Sequence, residues 1–241
     1  SKAPPDGYTL LLTGSTLWVF PMLSKAPYSI ADFSPISLIS NDILIVAVHP
    51  SLPAKSIKEL IALAKSRPGE LMIATGSPGS PADLAGQLFK SMAGVDMVRI
   101  AYKGSALAIT ALIGGEVPLV ITDAGLVMPH AKSGRLRALA GTSAEPTALV
   151  PGLPTVSAAG LPGYEVVGMT GMFAPGKTPA AIVNRLNQEI VRVLTAAELK
   201  ERFLNAGVEA AGTSPEQFAS VLKADIARMG RVIADAGIKV N

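Results

Sequence analysis

Short apolar runs alternate with amphipathic segments along almost the whole chain, and this alternation restricts the fold more than any other feature of the 241-residue sequence. An apolar run of about four to eight residues suits a strand buried on both faces, and an amphipathic segment after it suits a helix lying on the sheet. The pattern predicts an α/β fold with largely parallel sheets. Strands are expected at 9–12, 36–39, 43–48, 71–74, 98–101, 119–122, 138–141 and 166–173.

The helix starts carry their own signals. Ser56-Ile57-Lys58-Glu59 has the form of a capping box, in which a hydroxyl and a carboxylate satisfy free amides of a helix running to Arg67-Pro68-Gly69. Ser80-Pro81-Ala82-Asp83 and Ser214-Pro215-Glu216-Gln217 repeat the logic, with proline at the first helical position, where its missing N–H costs nothing. Thr178 before Pro179 reads as another N-cap, and the last helix is expected to run towards Asp235 and stop at Gly237.

Two apolar strands, near 43–52 and 166–175, have the character of crossings between lobes. They divide the chain into a discontinuous first lobe, 1–47 with 172–241, and an inserted second lobe, 48–171, with a cleft where ligands are favoured. The 49% of hydrophobic residues supplies ample core, yet no apolar run reaches the ~18 residues of a membrane span. Residues 1–7 lack an initiating Met and the features of an export signal, so a signal is expected to have been removed or to lie upstream. With no cysteine, disulfides, thiolate metal sites and thiol nucleophiles are excluded. The net charge of +3 is scattered and aromatics are only 5%, which argues against a nucleic-acid partner.

Three strand ends carry candidate binding residues. Gly76-Ser77-Pro78-Gly79-Ser80 joins an apolar strand to a capped helix, so its backbone N–H groups and the helix dipole suit an anion; the plain alternative is a tight turn and a cap. Tyr102-Lys103-Gly104-Ser105 and Thr122-Asp123-Ala124-Gly125 also follow strands and precede helices. In parallel sheets such ends line up on one edge, where ligands bind. Lys103 would supply charge, and Asp123 would accept hydrogen bonds from ligand, water or loop amides.

A formal Walker A match, Gly171-Met172-Phe173-Ala174-Pro175-Gly176-Lys177-Thr178, and a Walker B-like run, Leu119-Val120-Ile121-Thr122-Asp123, raise a P-loop NTPase as the rival. Against it, Pro179 keeps Lys177 outside the helix, Pro175 has no amide to offer a phosphate, and the Walker B-like strand comes too early. No Gly-x-Ser-x-Gly elbow is present, and His49 and His130 stand beside no nucleophile, so both read as structural. No catalytic residue, metal site or cofactor is expected.

Several segments, in order, resemble the Bug/TctC family of extracytoplasmic solute receptors: Pro4-Pro5-Asp6-Gly7-Tyr8-Thr9-Leu10-Leu11, Ala101-Tyr102-Lys103-Gly104-Ser105, Ser133-Gly134-Arg135-Leu136-Arg137-Ala138-Leu139-Ala140, Leu153-Pro154-Thr155-Val156, Gly160-Leu161-Pro162-Gly163-Tyr164-Glu165 and Phe173-Ala174-Pro175. The resemblance runs from the first residues to the last. It implies a two-lobed type II periplasmic-binding-protein fold that captures small carboxylates, with binding loops mapping onto Thr13, Gly14, Ser15 and Thr16 in the first lobe and onto Gly76–Ser80 and Asp123 in the second. It also implies a periplasmic location and permease subunits of a tripartite tricarboxylate transporter as partners, or a sensing or interaction role without transport. Members of the family normally begin with a further β-α-β unit, so the first lobe is expected either to be incomplete here, with weak or absent binding and an exposed sheet edge that favours self-association, or to be rebuilt, as by a neighbouring chain.

Overall fold

The computed structural model describes residues 2–235 and 237. In chain order the elements are β1 (Leu11–Gly14), α1 (Thr16–Leu23), β2 (Phe33–Val48), α2 (Ile57–Ser66), β3 (Met72–Thr75), α3 (Pro81–Ala93), β4 (Val98–Ala101), α4 (Ser105–Ile113), β5 (Leu119–Asp123), α5 (Ala124–Lys132), β6 (Arg137–Gly141), α6 (Val156–Ala159), β7 (Val167–Pro175), α7 (Ala180–Leu194), α8 (Ala197–Asn205), β8 (Val208–Ala210) and α9 (Pro215–Asp235). They form two compact units: Ser1–Asn41 with Met169–Asn241, and Asp42–Gly168.

The contiguous unit is a sheet flanked by helices. Its strands β5, β3 and β4 are parallel, in register Ile73↔Leu119 and Met72↔Val98. The second half of β2 is antiparallel to β5 on one side (Leu44↔Asp123) and to β6 on the other (Ile45↔Gly141). The sheet is thus mixed where a largely parallel one was expected. β2 is the strand by which the chain arrives, not the product of a β-α-β crossover, so no handedness rule forces it parallel. Ile45, Val120, Leu112 and Val127 have no exposure and anchor the core on one face. On α3, Leu84, Ala85, Leu88 and Phe89 form the buried stripe. Phe89 meets the ring of Tyr164 edge-on at 6.2 Å, and the Tyr164 hydroxyl donates to the carbonyl of Ala85 at 2.8 Å.

Burial pushes the Tyr164 phenol far above its ordinary value. The folded state therefore holds the proton that the unfolded chain releases near pH 10, and stability should fall as pH rises past that point, by up to about 1.4 kcal/mol per pH unit. Chemical denaturation of the protein and of Tyr164→Phe between pH 8 and 11 is expected to show a steeper alkaline loss in the unsubstituted protein; parallel curves would contradict it.

In the discontinuous unit, β1 pairs antiparallel with β7 (Leu11↔Phe173, Gly14↔Thr170) and β8 joins β2. Phe173 has no exposure and contacts three other aromatic rings, Trp18 and Phe33 at 6.3 Å and Phe218 at 5.1 Å. The Trp18 indole donates to Asp225 at 2.8 Å and Arg228 pairs with the same carboxylate at 2.6 Å, fastening α1 to α9.

The expected caps at Ser56, Ser80 and Ser214 are made: each hydroxyl accepts the amide three residues on. Gln217 answers Ser214 reciprocally at 2.9 Å, and Gly237, at φ +60°, follows the last helix as expected. Thr178 departs from expectation, because the N-cap position of α7 belongs to Pro179 and the Thr178 hydroxyl is buried without a partner. β1 lies two residues later than the reading at 9–12, the strands expected at 36–39 and 43–48 are one 16-residue strand, and β8 was not foreseen. The Walker A-like segment is mostly strand: residues 171–175 lie inside β7, and 171–173 pair with β1, so the first five positions form no loop to wrap a phosphate. Among the described residues no helix is long and apolar enough to cross a membrane.

Candidate functional site

Because β3, β4 and β5 are parallel, the segments that follow them leave the sheet at one edge. The Tyr102 amide donates to the Thr75 carbonyl at 3.0 Å, tying the end of β4 to the end of β3. Gly76, Ser77, Gly79 and Ser80 form the β3–α3 loop, Tyr102 and Lys103 the β4–α4 loop, and Asp123 the β5–α5 junction. The sequence-predicted residues of this unit are therefore brought to one sheet edge.

Within the β3–α3 loop, Ser77 and Pro78 are exposed at the crown, while Gly76 and Gly79 are buried. Gly79 has φ +77°, a backbone conformation that favours glycine, and a Cβ at Gly76 would lie 2.7 Å from the Ser80 hydroxyl and so press on the group that caps α3. The expectation of free amides needs correction at two positions. The Gly79 amide donates to the Asp83 carboxylate at 2.9 Å and the Ser80 amide to the Ser77 carbonyl at 3.0 Å, because the first turn of α3 reaches back into its own loop.

Lys103 is exposed and Tyr102 half-buried against the core. Asp123 is half-buried, occupies the N-cap position of α5 without capping it, and accepts from the Thr122 hydroxyl at 3.3 Å. Its carboxylate retains acceptor capacity for a ligand hydroxyl, a protonated acid or water.

In the other unit, the expected loop at Thr13–Thr16 is a direct strand-to-helix junction. Thr13 and Gly14 end β1, Ser15 is buried at the N-cap position of α1, and Thr16 is the first helical residue. The Ser15 side chain does not cap, which leaves the first amides of α1 for another acceptor.

Asp83 is more than the capping residue that its position suggests. It has no exposure and gathers four donors: Thr75, Gly79, Gln87 and Arg99. Its place at the third position of a capped helix was the only visible signal. The His49 ring nitrogen Nδ1 lies 2.7 Å from the Ser51 hydroxyl and accepts from the Ser51 amide at 3.2 Å, so a hydroxyl does stand beside His49, contrary to expectation, within a local turn; His130 Nδ1 is buried without a partner. Among the described residues no three His, Cys, Asp or Glu side chains gather as a metal site would require.

Residues 1–238 match the sequence pattern of the tripartite tricarboxylate transporter family receptor, TctC. The chain belongs to this family. Its members are substrate-binding receptors and not enzymes. BugT of Bordetella pertussis is 32% identical over 245 residues, covering 100% of this chain and 75% of BugT. The structure of R. palustris Rpa4515 with adipate is 34% identical, with a TM-score of 0.92 over 99% of this chain and 81% of that one. MatC from Rhodopseudomonas palustris with bound malate is 26% identical, with a TM-score of 0.87 over 96% of this chain and 81% of MatC.

Proposed function

We propose that the protein captures a small carboxylate in the periplasm and delivers it to the membrane permease of a tripartite tricarboxylate-type transporter. The observation that most supports this reading is the likeness, over nearly the whole chain, to one receptor solved with adipate and another solved with malate. In one unit the proposed binding groups are the amides at the start of α1 with Thr13, Ser15 and Thr16; in the other they are the Ser77 crown and Ser80 of the β3–α3 loop, and Tyr102, Lys103 and Asp123. Neutral donors and ordered water hold a carboxylate well when they are fixed in advance, since hydrogen bonds to an ionised oxygen are the stronger kind. No buried basic residue is needed.

A thermal-shift panel of mono-, di- and tricarboxylates tests the reading. A ligand at about 100 times its dissociation constant adds about 2.7 kcal/mol, a shift of several degrees for a chain of this size. Adipate, malate or a related dicarboxylate is expected to give that shift, and Mg–ATP none. Absence of a shift with every acid, in a folded sample, would count against carboxylate capture.

A further inference from the structure

We infer that Asp83 is the positioning residue of the β3–α3 loop and that Arg99 cancels its charge, an inference that rests on the reading of this loop as part of the carboxylate site. The carboxylate has no exposure, and each oxygen takes two donors. Oδ1 accepts from the Thr75 hydroxyl at 3.2 Å and Arg99 Nε at 2.5 Å; Oδ2 accepts from the Gly79 amide at 2.9 Å and Gln87 Nε2 at 3.1 Å. These partners come from β3, the loop, α3 and β4.

A simple capping role does not explain this arrangement. In a reciprocal cap the third helical residue accepts the N-cap amide, but the Ser80 amide is bonded to Ser77 and Asp83 reaches past it to Gly79. The exposed crown at Ser77 and Pro78 therefore stands on a base fixed by a buried charge. That base poses a problem for a receptor of anions. A buried carboxylate behind the loop would repel a ligand carboxylate through a low-dielectric interior, and would itself be costly unpaired. Arg99, with its side chain 33% exposed, neutralises the carboxylate from the solvent side. The pair thus shapes the loop without setting a negative field against the ligand.

Asp83→Asn tests the inference, since one acceptor oxygen then becomes an NH2 facing two donors. Amide hydrogen exchange over 76–80 is expected to rise about tenfold or more, with α4 and β5 unchanged, as the loss of a charge-assisted hydrogen bond implies. Adipate and malate titrations should weaken by at least the same factor. Arg99→Met serves as the second variant should Asp83→Asn not fold: it keeps the Gly79 contact, so loop exchange should change less, while affinity for these dianions falls because the carboxylate is no longer neutralised. Unchanged loop exchange in Asp83→Asn would overturn the inference, as would unchanged adipate or malate affinity beside an unsubstituted protein that binds them. If the unsubstituted protein binds neither acid yet the exchange over 76–80 rises, the loop role of Asp83 stands and the carboxylate reading of the site falls.

Discussion

Gly171→Val should cost about 3 kcal/mol of stability or more, the upper end of what overpacking a core does. A side chain at this position would collide with the Phe218 ring, whose Cε1 would lie 2.8 Å from the new Cβ, and with Phe173 Cε2 at 3.0 Å. Phe218 and Phe173 have no exposure, so neither ring can swing into solvent. Opposing this is the gain of a β-branched residue in a strand and the lower entropy of the unfolded chain, together about 1 kcal/mol. The collision wins. Urea unfolding followed by fluorescence of Trp18, the single tryptophan, measures the balance. A neutral or stabilised variant would mean that the aromatic cluster repacks freely. The result also bears on the Walker-like match, because it assigns the first glycine of that match to ring packing.

Asp225→Ala is expected to lose about 3 kcal/mol or more, the range for breaking a buried ion pair by removing one partner. Asp225 is 5% exposed and holds both the Trp18 indole and Arg228. Its removal strands an indole N–H in a closed interface, a further penalty of about 1–3 kcal/mol if no water enters. Asp225→Asn keeps one acceptor and should lose roughly half as much. The same urea experiment serves for both, with a shifted Trp18 emission in the folded Asp225→Ala protein reporting the changed surroundings. A loss below about 1 kcal/mol would show the contact to be exchangeable with water.

The parts of the fold that depend on neighbours in the chain could be read from residues alone. Ser56, Ser80 and Ser214 cap because hydroxyl and amide are three residues apart, and the apolar runs that became β3, β4, β5 and β6 needed only their composition. What was misread depends on distant partners. β1 occupies Leu11–Gly14 because Phe173 through Thr170 select that register, a choice that Thr9 and Leu10 could not reveal. Asn41 and Asp42 looked like a break, yet β2 runs through them. Thr178 has the chemistry of a cap but not its position. At the candidate site the loop residues were visible as a strand-to-helix connection of small residues, whereas the convergence of residues 75, 79, 87 and 99 on Asp83 exists only once β3, α3 and β4 are assembled.

The interrupted course of one unit through the sequence imposes an order of assembly. Asp42–Gly168 is continuous, and its parallel strands are joined through single intervening helices, so it can complete itself as soon as its last residues emerge. The leading segment has no such option. β1 must wait for β7, and Trp18 for an aspartate 207 positions later, so α1 stays without its final neighbours until the tail arrives. Lesions in the tail, such as those at Phe218 or Asp225, should therefore leave the middle of the molecule folded and strand the two ends, giving a protease-resistant fragment shorter than the whole chain.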